Sequence, residues 1–250
     1  MDLFDAFDLK PGAVVATVGG GGKTSLVYAL GDQAASMGLS AIVASTTKFT
    51  RRSPGPMPPV IETPDDESLQ ALRDAVGPGS VVVASAGPAN RGRMEGYRPD
   101  TIDAWAASLT AGLIAVEADG SAHRPFKAPA EHEPVIPASA TDVIVCVGLD
   151  VLGKALTDAT VHRPEIAARL GRTELGAPVT IDTILRVLTH DDGGRKGVPG
   201  AARLHALLNA PGDEEQRALG AKLAGRLIFG GYYRAIVGTI HRAEIDTIAC

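Results

Sequence analysis

The sequence predicts an α/β chain: a doubly wound, mainly parallel sheet of the P-loop NTPase type, with a small insertion or subdomain. Three observations point there. Short runs rich in Val and Ile recur along the chain, and most are continuously apolar, as strands covered on both faces are. Helical patterns lie between several of them, which makes βαβ units. The first apolar run feeds directly into four glycines and Lys-Thr.

In chain order, 13-AVVATV-18 reads as a strand, Gly19 to Gly22 as a loop, and 24-TSLVYALGDQAASM-37 as a helix. A second strand is 41-AIVAST-46, and the Pro-rich 51-RRSPGPMPPV-60 reads as a loop. The helix 66-DESLQALRDAV-76 has acidic residues in its first turn and Gly77-Pro78-Gly79 to stop it. The strand 80-SVVVAS-85 leads into 86-AGPANRGRMEGYRPD-100, a loop with three arginines, then the helix 100-DTIDAWAASL-109. Strands follow at 112-GLIAVE-117 and 143-VIVCVG-148, a helix at 180-TIDTILRVLTH-190, and a strand at 203-RLHALL-208 that reads equally as a helix end. The helix 214-EEQRALGAKLAGRLI-228 and the strand 234-RAIVGT-239 close the series. We therefore expect a nucleotide-binding core over 1–150 and a mostly loop-and-helix insertion over 151–200, where turn residues are many and strand signals few. Residues 201–250 would supply a strand-helix-strand unit completing the core sheet.

Composition narrows the function classes. The 250 residues suit one large α/β domain or a core with an appendage. Only 4% are aromatic, so Ala, Val, Leu and Ile must fill the core. A net charge of −5 argues against nucleic acid or an anionic membrane as the main partner. The two cysteines, Cys146 in an apolar run and Cys250 at the end, make neither a disulfide framework nor a metal cluster. They fit a reducing cytoplasm. Cys146 reads as a small buried hydrophobe, and nothing around Cys250 suggests activation. The acidic start MDLFDAFDLK is unlike a signal peptide, and no apolar stretch is long enough to span a bilayer. A cytoplasmic protein is expected.

The glycines carry the chemistry. Each is costly to order, so something must need the backbone there. Between a strand and a helix, such a loop turns N–H groups inward toward a phosphate, the helix N-terminus adds a positive dipole end, Lys23 neutralises charge and Thr24 binds Mg²⁺. The pattern G-x-x-x-x-G-K-[ST] is broken, because its first glycine falls at Thr17. The shorter G-x-x-G-K-T is met by Gly19, Gly22, Lys23 and Thr24, with Gly20 and Gly21 between and Ser25 after; such short loops occur in proteins of the Mur-ligase kind. The plain alternative is a glycine turn with a surface lysine.

A phosphate cradle also needs an acidic strand end for Mg²⁺. Glu117 and Asp119 follow an apolar run and, in a strand, share one side. One would bind the metal and the other orient water or act as a base; the alternative is an ordinary acidic strand end. Basic residues follow: His123, Arg124 and Lys127, then 131-EHEP-134. They sit at the carboxyl edge, where α/β sheets bind ligands, and would hold a γ-phosphate or an anionic second substrate; the equal alternative is a solvated basic loop. Thr46, Thr47 and Lys48, in 44-ASTTKFTRR-52, would reach phosphates too, or merely cap a helix beside solvated charge. Lys196, in 190-HDDGGRKGVPG-200, is a weaker candidate of the same kind. The stretch 207-LLNAPGD-213 only partly matches a guanine-reading Asn-Lys-x-Asp, lacking the Lys and placing Asp213 one residue late, so it reads as a turn.

Together these residues make the chain resemble the YqeC family, described as selenium-dependent hydroxylase accessory proteins. The resemblance rests on 18-VGGGGKTSL-26, 45-STTKFT-50, 116-VEADGSAHRPFKAPAEHEPVIP-137, 147-VGLDVLGKAL-156 with 161-VHRPE-165, and 193-GGRKGVPGAARLHALLN-209. The family usually has a Lys in the loop after Asp-Gly, where this chain has Ser121, Ala122 and His123. The resemblance implies a P-loop nucleotide-binding fold and an accessory role near molybdenum-cofactor hydroxylases.

The expected function is a Mg²⁺-dependent NTP-binding accessory protein that hydrolyses ATP or GTP, or transfers a phosphoryl or nucleotidyl group, during maturation of a molybdenum hydroxylase. Lys23, Glu117, Asp119 and Lys127 are its expected catalytic residues. Glycines 19–22 with Lys23, Thr24, Ser25, Thr46, Thr47, Lys48, Arg124 and Lys196 would bind the nucleotide or a molybdopterin-type anionic substrate, and Thr24, Glu117 and Asp119 the Mg²⁺. The alternatives are a nucleotide-gated chaperone for the apo-hydroxylase and a Mur-like ATP-dependent ligase.

Overall fold

A computed structural model describes residues 2–51, 55–210, 212, 214–240 and 244–250. Arg52 of the cationic run after the second strand, and Asp213 of the 207–213 stretch, lie outside the described residues. All seven apolar runs form strands of one sheet: β1 (Ala13–Gly19), β2 (Ala41–Ser45), β4 (Val81–Ser85), β5 (Leu113–Glu117), β6 (Asp142–Gly148), β7 (Arg203–Asn209) and β8 (Arg234–Thr239). The ambiguous run at 203 is a strand, because it pairs with β6 along its whole length.

Two edge strands join them. The short β3 (Val60–Glu62) begins where a Pro-rich loop was expected to end, and β9 (Glu244–Ala249) runs antiparallel to β8. The order across the sheet is β9–β8–β7–β6–β1–β5–β2–β4–β3, and every neighbouring pair except β8–β9 is parallel. The chain is thus an α/β protein with a mostly parallel nine-stranded sheet.

The five expected helices are present as α2 (Lys23–Ser36), α3 (Asp65–Ala75), α4 (Pro99–Ser108), α6 (Ile181–Thr189) and α7 (Glu214–Phe229). Two more, α1 (Leu3–Phe7) and α5 (Pro164–Gly171), bring the described total to seven. They cover both faces, which is why the central strands are mostly apolar rather than alternating. On one face Val15, Val43, Ala115, Ile144 and Leu207 meet α1 and the Leu26, Val27 and Leu30 side of α2. On the other, Val145, Leu208 and Val237 pack under α5, α6 and α7, while Ile42, Val82 and Ile114 pack under Leu72 of α3 and Trp105 of α4. Trp105 donates its indole N–H to Ser68 Oγ at 3.0 Å, so the largest core side chain leaves no polar atom unpaired.

In a parallel sheet all carboxyl ends lie along one edge. The glycine loop after β1, the Glu117 end of β5 and the segment after β2 are therefore neighbours by topology. Among the described residues no helix is long and apolar enough to cross a membrane.

Candidate functional site

Backbone crowding accounts for the first three glycines. A Cβ on Gly19 would sit 2.3 Å from the Cys146 carbonyl oxygen, one on Gly20 2.5 Å from the Arg124 carbonyl oxygen, and one on Gly21 2.3 Å from the Gly148 nitrogen. The loop threads between the end of β6 and the 124–126 backbone with no room for side chains. Gly19, Gly21 and Gly22 also take positive φ, which other residues rarely adopt. Gly20 N–H donates to Cys146 O at 2.9 Å, Gly19 N–H to Asp119 Oδ2 at 3.0 Å, and Asn209 Nδ2 to Gly21 O at 3.1 Å. Asn209, at the end of β7, also accepts from Ile240 N–H at 3.2 Å and so ties β7, β8 and the loop together. Sequence reasoning missed that role; an Asn ending a parallel strand was its only signal.

Gly22 caps α2, whose first turn leaves N–H groups without intrahelical partners. That turn borders an open cleft of about 1270 Å³, lined by Gly21, Gly22, Lys23, Thr24 and Ser25 on the loop side and by Glu117 beneath. The cleft follows one side of α2 past Tyr28 and Asp32 to Ser36. Lys48, Arg51 and Arg93 stand along one wall, and His123 and Arg124 along another.

Register explains the acidic pair. Glu117, the last residue of β5, lies level with Thr17 on β1 and Ser45 on β2. Thr24 Oγ1 donates to Glu117 Oε2 at 2.7 Å. The Lys23 ammonium, nearly buried, donates to Gly19 O at 2.6 Å and lies 3.2 Å from Asp119 Oδ1 and 3.9 Å from Glu117 Oε1. Burial would lower the lysine's pKa, but Asp119 and Glu117 outweigh it and hold the value above that of an ordinary lysine. Burial raises the Glu117 carboxyl above the usual range, against the pull of Lys23 and of the Thr24 hydrogen bond. Burial also pushes the Cys146 thiol up to about 12, so it is no nucleophile near neutrality.

Asp119 and Lys127 lie behind the cleft rather than on it. Lys127 Nζ is 2.9 Å from Asp119 Oδ2 and 2.7 Å from Glu133 Oε2, and donates to Gly120 O at 2.6 Å. Arg163, before α5, grips Glu133 with both guanidinium nitrogens at 2.6 and 3.1 Å. A row of alternating charges, Lys23–Asp119–Lys127–Glu133–Arg163, thus runs from the glycine loop to the start of α5. Burial would raise the Glu133 pKa, but the hydrogen bonds from Lys127 and Arg163 prevail and hold it at about 2.

Of the remaining sequence candidates, Ser25, Lys48 and Arg124 border the cleft, and Thr46, Thr47 and Lys196 do not. The Thr46 hydroxyl donates to Val135 O at 2.6 Å, and Thr47 N–H donates to Ser45 Oγ at 3.0 Å. Lys196 Nζ donates to Ala130 O and Glu131 O at 2.5 and 2.9 Å, beside a separate void of about 20 Å³ shared with Asp119 and Lys127. Its charge serves the 130–131 turn.

A family model described as YqeC protein matches residues 15–165. A protein of Escherichia coli (strain K12) named "Uncharacterized protein YqeC" is 32% identical over 194 residues, covering 78% of this chain and 74% of that one. No solved structure matches the chain.

Proposed function

The chain belongs to the YqeC family, and from that premise we propose that it is a Mg²⁺-dependent nucleoside-triphosphate-binding protein of the P-loop type. One observation carries the reading: a helix N-terminus, a lysine and a paired hydroxyl and carboxylate converge on one cleft at the carboxyl edge of a parallel sheet. Helix N-termini favour anions, and α/β sheets take ligands at this edge.

Gly21, Gly22 and the first turn of α2 would present N–H groups to the β- and γ-phosphates, with Lys23 as their counter-charge. Asp119 is a positioning residue: it holds the Gly19 N–H and faces the lysine, and Lys127 in turn holds Asp119. The donor set suits Mg²⁺, which takes one or two protein oxygens and leaves its other positions to phosphates and water; Thr24 Oγ1 and Glu117 Oε2 are two such oxygens on the cleft. When bound there, the metal would supply neutralisation of phosphate charge. The protein's own part is positioning and charge complementarity, the usual basis of phosphoryl transfer. The proposed reaction is hydrolysis of the triphosphate or transfer of its phosphoryl or nucleotidyl group, and its proposed setting is maturation of a molybdenum-cofactor hydroxylase.

A second reading, a nucleotide-gated chaperone with little turnover, is favoured by the charge row. A phosphate drawing Lys23 off Asp119 would alter what Lys127 and Glu133 hold near α5.

Calorimetric titration of ATP, GTP, CTP and UTP with Mg²⁺ tests the site. The parent is expected to bind at least one of them, and Lys23→Ala to lose it. Equal affinity in a folded Lys23→Ala variant would refute the phosphate cradle. Turnover of the bound triphosphate separates enzyme from gated chaperone.

A further inference from the structure

We propose that the wall of the cleft formed by Lys48, Arg51 and Arg93 is a second anion site, which binds a phosphate-bearing small molecule alongside the nucleotide. The inference rests on the cradle reading for what occupies the other end of the cleft.

Space comes first. About 1270 Å³ exceeds the ~300–1,000 Å³ of a pocket for one ligand. The cleft also follows α2 from Gly22 to Ser36, roughly 20 Å at the helical rise per residue. A triphosphate seated at the helix N-terminus leaves part of that space open.

Placement comes second. The wall follows β2, and β2 is separated from β1 by β5 alone. Its base is therefore about 10 Å from the glycine loop, two inter-strand spacings. Glu117, on the strand between, lies beneath both. A molecule held by its anion at the wall can bring another part of itself to the γ-phosphate position without competing for the cradle.

The wall is also built rather than loose. Phe49 and Met94, both buried, exchange backbone hydrogen bonds at 3.0 and 2.9 Å, and these fix the segments that carry the three cations. Lys48 pairs with Glu95 at 3.1 Å and Arg51 with Glu62 at 3.4 Å, both exposed pairs that cost little to rearrange. Arg93 has no ion-pair partner among the described residues. Asp32 and Glu117 also line the cleft, so the wall attracts an anion through Arg93 and through the two exposed pairs that an anion can open, not through a net excess of charge. Two guanidinium forks and an ammonium match the geometry of phosphate oxygens. The chain's net charge of −5 makes a concentrated cationic wall inside a cleft a local feature, suited to a small anion rather than a nucleic acid.

The test counts bound pyrophosphate by calorimetry, with Mg²⁺ and without nucleotide, on the parent and on Arg51→Ala/Arg93→Ala. Both side chains are at least partly exposed, and thermal unfolding of the variant checks that it is folded. The expected result is two equivalents on the parent and one on the variant, with triphosphate affinity kept within about threefold. One equivalent on the parent and none on the variant would uphold the wall and refute the cradle. Equal stoichiometry on the two proteins, whatever the number, overturns the wall.

Discussion

Both edges of the parallel sheet carry a buried charge cluster, and the two are put to different use. At the amino edge, Asp142 begins β6 and Arg203 begins β7. The Asp142 carboxylate meets Arg203 at 2.8 Å and His205 Nε2 at 2.9 Å. Arg203 reaches on to Asp8 at 3.1 Å and lies 4.9 Å from the centre of the Tyr233 ring, whose hydroxyl donates to Asp8 at 2.8 Å. The His205 ring is wedged edge-on between Phe7 and Tyr233, and burial lowers its pKa despite Asp142. Among the described residues, this cluster lines neither the 1270 Å³ cleft nor the 20 Å³ void, and it clasps α1 to the sheet. At the carboxyl edge, Lys23, Glu117 and Thr24 are as tightly paired but border open space. Burial of charge does not by itself distinguish a site from a clasp; access does.

That contrast breaks most sharply at Asp142. Asp142→Ala leaves Arg203 and His205 without their shared acceptor, and removing one partner of a buried pair is costly. We expect a loss of about 3 kcal/mol in urea unfolding, with triphosphate affinity of the folded protein unchanged. Weakened binding at unchanged stability would show that the two edges are not separable. Lys23→Ala should also cost stability, since it leaves Asp119 with one cation fewer. Unlike Asp142→Ala, it should weaken triphosphate binding by the folded protein, by about 100-fold or ~2.7 kcal/mol in the calorimetric titration.

The same contrast explains what the sequence made legible. Most of the seven main strands were visible because burial on both faces writes them as nearly unbroken apolar runs, whereas Arg203 and His205 blurred β7. The edge strands β3 and β9 are partly exposed, and the alternation of 244-EIDTIA-249 gives a weaker signal. Helix α1 has five residues, too few to show a period, and α5 lies in the turn-rich 151–200 stretch. In the candidate site, the glycines, Lys23, Thr24, Glu117 and Asp119 were visible because two short segments carry them. Asn209 was not, since it meets Gly21 across 188 residues of chain. Nor were Glu133 and Arg163, whose role exists only through Lys127. Lys196 looked like a ligand contact because sequence shows a charge but not the carbonyls that it holds.

Glu133 sharpens the comparison from inside the carboxyl-edge cluster. Its folded pKa of about 2 lies below the usual carboxylate value, so its stabilisation is complete above about pH 4.5 and is lost as pH falls toward 2. Glu133→Gln should therefore cost about 2 kcal/mol near pH 7, less than full linkage implies because solvent partly screens Arg163, and almost nothing at pH 2. Urea unfolding across that range reads the difference. A cost that does not shrink on acidification would mean that Glu133 acts through packing rather than charge.

Glu117 is shifted the other way, and it is the smallest expected effect on stability. Burial raises its pKa, so its ionised form is disfavoured in the folded state, and that penalty is fully present above the folded pKa and relieved as pH falls through it. Gln keeps the shape and an oxygen for the Thr24 hydroxyl but carries no charge. Glu117→Gln should change stability near pH 7 by less than about 1 kcal/mol, in the stabilising direction if at all. Its consequence belongs instead to the ligand: binding or turnover of the triphosphate should lose its dependence on Mg²⁺. A carboxyl whose ionisation burial disfavours is then accounted for by what it holds beside the cleft. A variant that responds to Mg²⁺ as the parent does would remove Glu117 from the metal site and leave its burial without that explanation.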